Sequence, residues 1–509
     1  MMIKVILLVI FFAVMVAVGI YSRKHAMSVD GFVLGGRSVG PWLTAFAYGT
    51  SYFSAVVFVG YAGQFGWKYG LASTWIGIGN AVIGSLMAWV VLGRRTKVMT
   101  QYLNSKTMPD FFGSRYGSKP LKIAASAIVF VFLVPYTASI YNGLSRLFEM
   151  AFHIPYAWCV IGMAVFTGIY VILGGYMATA INDFIQGIIM LAGIIVVIAA
   201  VLNGQGGFLE AVGKMAEIPS DVEITLGQPG AFTSFFGPDP GNLLGVVILT
   251  SLGTWGLPQM IGKFYAIKDE KSINTGTVIS TVFAIVVSGG CYFLGGFARL
   301  FDAPAIYDEA GAVVYDSIIP HMLSALPDIL IGIVVVLVLS ASMSTLASLV
   351  LTSSSTLTLD FLKDNLLKEM SEKRQVRTMQ VLVIFFIAVS VFIALDPPTF
   401  IAQLMGISWG ALAGAFLAPF LYGLYWKGTT RAGVWASFIV GVGITVVNMF
   451  MPFIESSINA GAAAMVAGLI VVPVVSLITP KLSREKTDAI FSCYEEKVTI
   501  TKKRSLEQN

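Results

Sequence analysis

Runs of about twenty predominantly apolar residues recur along the whole chain, and this pattern decides what it can fold into. A helix rises ~1.5 Å per residue, so about twenty residues cross the ~30 Å hydrocarbon core of a bilayer. Thirteen such runs are read: 3–22, 41–62, 72–93, 123–148, 156–175, 183–203, 242–264, 275–299, 328–352, 378–395, 400–425, 432–452 and 462–479. Lipid offers no partner to a backbone N–H or C=O, so runs of this length are read as helices. Composition agrees: 57% of the 509 residues are hydrophobic and 12% charged, against ~25% charged in soluble domains. The expected class is all-α integral membrane, with residues 1–482 as the transmembrane domain and 483–509 as a cytoplasmic tail. Run 3–22 lacks a small-residue cleavage site after it and reads as a retained span.

Loop charge orients the runs. Arg23, Lys24 and Arg37 follow the first run, and Arg94, Arg95, Lys97, Lys106, Arg115, Lys119 and Lys122 follow the third. Lys263, Lys268 and Lys271 follow the seventh, Lys363, Lys368, Lys373, Arg374 and Arg377 the ninth, and Lys427 and Arg431 the eleventh. The alternate loops carry Glu210, Glu217, Asp221, Glu223 and Asp239, then Asp302, Asp308, Glu309 and Asp316. Basic loops stay in the cytoplasm, which predicts a cell-membrane protein with an external N-terminus. The tail, with Lys502, Lys503 and Arg504, is then cytoplasmic. The net charge of +5 reads as topology and contact with anionic lipid rather than nucleic-acid binding. Cys159, Cys291 and Cys493 are dispersed, as are His25, His153 and His321, so neither a disulfide framework nor a metal cluster is read. No Walker-type glycine loop is present, which argues against an ATP-driven pump. The chain reads as a carrier, not an enzyme, and calls for no cofactor.

Polar residues inside these runs carry the functional signal. Ala341-Ser342-Met343-Ser344-Thr345 sets two adjacent hydroxyls mid-run, where hydrocarbon cannot satisfy them. Paired with nearby backbone carbonyls they suit a small hard cation; the alternative is bonding back to their own helix, as membrane Ser and Thr commonly do. Two runs contain weak points: Gly49-Thr50-Ser51-Tyr52-Phe53-Ser54 in the second, and Gly253-Thr254-Trp255-Gly256-Leu257-Pro258 in the seventh. Glycine and proline loosen a helix and free its carbonyls, which is how broken helices build midplane sites in secondary transporters. Either break alone is also explained as a packing kink. The two lie five runs apart, as the openings of a five-plus-five inverted repeat would.

With these features the chain resembles the sodium/solute symporter family. The resemblance spans nearly the whole length, beginning at Leu34-Gly35-Gly36-Arg37-Ser38. It includes Gly174-Gly175 followed by Asn182-Asp183 and Gln186, Pro258 with Lys263-Phe264, and Ala341 to Thr345 with Ser348. It implies a leucine-transporter-like fold, with repeats at about 41–203 and 242–425 and one extra helix ahead of them. It implies Na⁺ as coupling ion, held by the backbone carbonyls of Thr50, Phe53 and Ala341 and the hydroxyls of Ser344 and Thr345. Five neutral oxygens suit a hard monovalent ion that must also leave. A second Na⁺ site in some members would use Asp183 and Ser348 here, but Ala347 stands where that pattern has a hydroxyl. One Na⁺ per solute is therefore expected. The alternative for Asp183 is a cytoplasmic-edge carboxylate capping the sixth span at its N-terminus.

The resemblance also places a small organic solute near the breaks: an amino acid, carboxylate, vitamin or sugar. Candidate contacts are Ser51, Tyr52 and Ser54, then Tyr136, Ser139 and Asn142, then Thr254, Trp255 and Gln259, each also explicable as packing. Within the family, Gly256-Leu257-Pro258, Lys268-Asp269, Pro397-Pro398 and Gly423-Leu424-Tyr425-Trp426 resemble sodium/pantothenate symporters. The aspartate that sodium/proline symporters carry near the Tyr52 position is absent, and no cation lies between Lys122 and Arg146 to match the arginine that sialic acid members place in this run. The expected function is sodium-coupled symport by alternating access. The rivals are a proton-coupled or sodium-independent carrier on the same fold, a channel or a membrane sensor. A channel would need a polar stripe repeated across the runs, and a sensor a signalling domain larger than this tail.

Overall fold

In the computed structural model, which describes residues 2–367 and 369–495, the apolar runs are helices and no named strand occurs among the described residues. Lys368, Lys502, Lys503 and Arg504 lie outside the described residues. The long helices are α1 (Met2–Ser22), α2 (Pro41–Thr50), α3 (56–69), α4 (74–102), α5 (Lys119–Phe152), α6 (Tyr156–Gly204), α7 (Pro240–Leu252), α8 (Pro258–Ala266), α9 (Glu270–Gly295), α10 (Asp328–Leu366), α11 (Glu372–Leu395), α12 (Ile401–Tyr425), α13 (Arg431–Phe450) and α14 (Ser457–Ile478).

Their starts follow from local chemistry. Proline stands in the first turn of α2, α7 and α8, where its missing N–H is no loss. Asp239, Asp269, Ser371, Thr430 and Ser456 accept from an N–H in the first turn of the helix that each precedes.

Eleven helices among the described residues are long and apolar enough to cross a membrane. They relate to the thirteen runs through two long stretches. Val56–Tyr102, 47 residues, holds the end of the second run and the third; Tyr156–Gly204, 49 residues, holds the fifth and sixth. Straight helices of that length would reach ~70 Å, more than twice a hydrocarbon core. Each contains a glycine with positive φ, Gly70 at 59° and Gly175 at 53°. A Cβ at Gly175 would also sit 2.9 Å from the Phe32 ring, so only glycine fits this kink.

Burial ranks the helices from centre to rim. The most apolar stretch is 89% buried in α12 and 78% in α10, but 28% in α1 and 33% in α11. A helix apolar all round belongs in the centre, whereas one with a bare apolar face fits lipid. α10 packs on α5 and α6, α2 on α6 and α9, and α12 on α5, α13 and α14. The basic loops gather at one end. There Arg94 pairs with Glu270 at 3.2 Å, Lys106 with Asp30 at 2.8 Å and Lys427 with Asp488 at 2.7 Å. Lys122 reaches Asp110 and Asp364 at 2.7 Å and buried Asp360 at 3.3 Å. The acidic loops form the opposite end, where Arg299 pairs with Asp221 at 2.7 Å.

Candidate functional site

Both weak points are breaks. α2 ends at Thr50 and helix resumes only after Ser54; α7 ends at Leu252, a short turn covers Gly253–Trp255, and α8 starts at Pro258. In the first break the N–H groups of Val57 and Phe58 both donate to the Ser54 carbonyl at 3.0 Å, which leaves the Phe53 carbonyl free to face inward.

The hydroxyls of α10 meet these carbonyls. Ser344 Oγ lies 3.0 Å from the Thr50 carbonyl and 2.9 Å from that of Ala341. Thr345 Oγ1 lies 3.1 Å from Thr50, 3.1 Å from Ala341 and 3.4 Å from Phe53 carbonyl oxygens. All five residues are buried. The back-bonds to Ala341 are those expected of any membrane Ser or Thr. The carbonyls of Thr50 and Phe53 come from another segment, and local back-bonding does not require them. Two O–H protons serve three carbonyls here, so the cluster holds a surplus of oxygen lone pairs in a dry site, which is what a cation needs.

Asp183 and Ser348 lie one step further along the same seam. Ser348 Oγ is 2.7 Å from Ser51 Oγ, and Lys263 Nζ donates to it at 3.0 Å. Lys263 Nζ also stands 3.8 Å from Asp183 Oδ2 and 5.1 Å over the Tyr176 ring. Asp183 does not cap a helix start at the membrane edge: α6 runs on through it, and the carboxylate is fully buried. The helix turns at Gly175, eight positions earlier in the chain, so Asp183 is already well inside the following segment.

The solute candidates divide into two sets. Ser139 donates to the Tyr136 carbonyl at 2.7 Å, Thr254 to that of Ser251 at 2.9 Å, and Trp255 Nε1 to that of Ile83 at 2.9 Å. Ser54 Oγ accepts from Val56 N–H at 3.2 Å, and Tyr52 Oη donates to Thr250 at 2.6 Å. These five, with Ser51, already have partners within the protein. Tyr136 Oη, Asn142 Oδ1 and both amide atoms of Gln259 are buried without a hydrogen-bond partner.

Sequence reasoning missed Trp409 on α12. Its ring stacks on Tyr52 at 5.6 Å and meets Tyr136 edge-on at 5.8 Å, and its Nε1 has no partner. A Cβ at Gly253 would lie 2.7 Å from this ring, so the second break makes room for it. Its signal was faint: a single tryptophan among the small residues Ser408 and Gly410.

A cavity opens at each end of the bundle. The acidic end has a cavity of ≈ 660 Å³ lined by Gln64, Trp67, Lys68, Asp239 and Arg299 among others. The basic end has a cleft of ≈ 40 Å³, onto which Gln259, Lys263 and Ser348 open. Gln259 therefore belongs to the basic-end approach and not with Tyr136.

The profile of the sodium:solute symporter family matches residues 32–441. Sodium/proline symporters of Staphylococcus aureus strains JH9 and JH1 are 30% identical over 500 residues, covering 94% of this chain and 93% of theirs. A Na⁺-coupled sialic acid symporter, solved in a substrate-bound outward-open state, superposes with a TM-score of 0.75 at 14% identity. That match covers 94% of this chain and 99% of the other, and it shows a shared fold. The chain belongs to the sodium:solute symporter family and performs sodium-coupled solute symport.

Proposed function

We propose that the chain takes up a small organic solute with one Na⁺, held by Thr50, Phe53, Ala341, Ser344 and Thr345. The observation that carries this reading is the convergence of carbonyls from the first break with the α10 hydroxyls, at 3.0–3.4 Å. An ion there bridges α2 and α10, so it favours whichever form closes that seam; losing it would loosen the seam. A ligand shifts such an equilibrium only by its differential affinity for the two forms. One Na⁺ moving inward supplies ~2.3 kcal/mol per 100 mV and ~1.4 kcal/mol per tenfold gradient. The sum concentrates a neutral solute by roughly several hundredfold.

The solute would sit between the two breaks against Tyr52, Tyr136 and Trp409. Among these rings there is no charged side chain, which favours a solute with an apolar body and few polar groups. Small neutral amino acids come first, since relatives named sodium/proline symporters align over nearly the whole chain. The wide acidic-end cavity and the narrow basic-end cleft support an outward-facing form in which the acidic loops are external. The pairing of the two breaks supports repeats at about 41–203 and 242–425.

The test is a thermal-shift screen with and without Na⁺, followed by uptake into proteoliposomes under an inward Na⁺ gradient. Amino acids, carboxylates, vitamins and sugars form the panel, because a bound substrate raises the melting temperature by mass action. Uptake of the stabilising solute that ignores the Na⁺ gradient would overturn the coupling assignment.

A further inference from the structure

We propose that the ε-ammonium of Lys263 is a tethered resident cation at Asp183 and Ser348, so this second locus takes no Na⁺. The proposal rests on the sodium-coupled reading above and adds to it which charge fills the second position.

A carboxylate buried inside a membrane helix needs a countercharge. Asp183 is fully buried on α6, and neither of its oxygens has a hydrogen-bond partner. The charge facing it is Lys263 Nζ from α8, 3.8 Å away, itself 3% exposed. That separation is an ion-pair contact and not a hydrogen bond. One proton of the ammonium goes to Ser348 Oγ at 3.0 Å, and the Tyr176 ring face lies 5.1 Å from it. An ammonium carries only donors, and it here faces a carboxylate, a hydroxyl and a π-face, the kinds of partner that accept a cation.

Position ties this cation to the first one. Ser348 lies three residues beyond Thr345 on α10, and its other contact, Ser51 at 2.7 Å, follows Thr50 in the first break. Lys263 sits on the helix that follows the second break. One side chain thus joins α6, α8 and α10, and through Ser348 the first break, which a bound ion would otherwise have to do. Its charge also settles occupancy. Asp183 balances one monovalent cation, and Lys263 is already there; a Na⁺ added beside it would leave net positive charge in a medium of low dielectric. Ala347, which offers no hydroxyl, fits a site that has ceased to hold a free ion.

The deciding measurement is equilibrium binding of radioactive Na⁺ to the purified full-length protein in nanodiscs. The unaltered chain should bind one Na⁺, lost in the Ser344→Ala/Thr345→Ala protein. Lys263→Gln should bind two, Lys263→Arg one, and Lys263→Gln/Asp183→Asn one again. One Na⁺ in Lys263→Gln, still lost with Ser344 and Thr345, would overturn the proposal while leaving the sodium reading intact. Two Na⁺ in the unaltered chain would overturn it as well. No Na⁺ bound by the unaltered chain would overturn the sodium reading, and the proposal with it. If Lys263→Gln is not recovered folded, Lys263→Met decides by the same count: two Na⁺ support the resident lysine, and one refutes it.

Discussion

Replacing Ser344 and Thr345 with alanine tests the ion site at the contacts that define it. The double change removes two of five converging oxygens and leaves the carbonyls of Thr50, Phe53 and Ala341 in place. Losing one neutral polar contact in a buried site costs ~1–3 kcal/mol. Two such losses cost ~2–6 kcal/mol, so the Na⁺ concentration for half-maximal uptake should rise about thirtyfold or more, at ~1.4 kcal/mol per decade. The single changes should be unequal. Thr345 Oγ1 reaches three carbonyls and Ser344 Oγ two. Thr345→Ala should therefore be the more damaging, and Thr345→Ser, which keeps the hydroxyl, the mildest. The assay is initial solute uptake into proteoliposomes against external Na⁺, at matched amounts of reconstituted protein. Melting temperatures without Na⁺ separate a weakened site from a weakened fold. An unchanged Na⁺ dependence in the double variant would refute the assignment of all five oxygens.

On a background without native cysteines, an impermeant maleimide should label Glu210→Cys in intact cells but leave Arg94→Cys untouched until the membrane is opened; the reverse pattern overturns the orientation. Trp409→Ala should weaken solute binding about tenfold while leaving stabilisation by Na⁺ unaltered, since aromatic contacts with two rings are lost and no ion contact is. Equal loss of both stabilisations would place the solute elsewhere. Asp316, on the short helix Tyr315–Ser324 outside the membrane-spanning segments, is 6% exposed and accepts from Ile401 N–H at 3.2 Å. Burial pushes its carboxyl from 3.8 up to about 6, against partial relief from that N–H and from Arg146. The folded chain then holds this proton more tightly than the unfolded one, so stability falls as pH rises from about 4 to about 6 and stays lower above. Asp316→Asn should flatten this slope and raise stability at pH 7.5 by on the order of 2 kcal/mol, read from melting curves between pH 4 and 8. An unchanged slope would exclude Asp316 as its source.

What the sequence disclosed of the fold follows from how strongly lipid constrains it. Length and apolarity of a run settle that it is a helix, and Pro41, Pro240 and Pro258 settle where helices begin, because these are properties of one segment. The joins were less legible. In Val56–Tyr102 and Tyr156–Gly204 the turns rest on Gly70 and Gly175, and glycine is common enough in membrane helices that its sign of φ cannot be read from its name. The centre of the bundle had a clearer trace that periodicity alone overlooks. Gly406, Gly410 and Gly414 repeat every four residues on α12, and a Cβ at Gly410 would lie 2.7 Å from Gly461 on α14. Such small-residue stripes mark close helix contacts, and α12 has the most buried apolar stretch of the eleven membrane-length helices among the described residues.

The same distinction between local and relational information separates the parts of the candidate site. Ser344 and Thr345 announced themselves because hydroxyls deep in an apolar run demand partners, and the first break announced free carbonyls; that the two meet required only a correct pairing of distant spans. Lys263 is the opposite case. At the end of its run it counted as one more basic-loop charge, although the fold buries it to 3% and aims it inward. Asp183, read alone, looked equally at home as a helix cap. Each residue had an adequate solitary explanation, and only their 3.8 Å approach makes both explanations insufficient. A buried charge is a statement about its partner, so a single charged residue near the end of an apolar run should be read as half of a pair until its complement is found. Applied to α5 and α10, that rule pairs Lys122 at the start of one with Asp360 near the end of the other, at 3.3 Å. Asp360 is 1% exposed and also accepts from Thr107 at 2.5 Å. The charges that close the basic end are therefore built by the same logic as the Lys263–Asp183 pair: a lysine brought by one helix to a carboxylate that another helix could not bury alone.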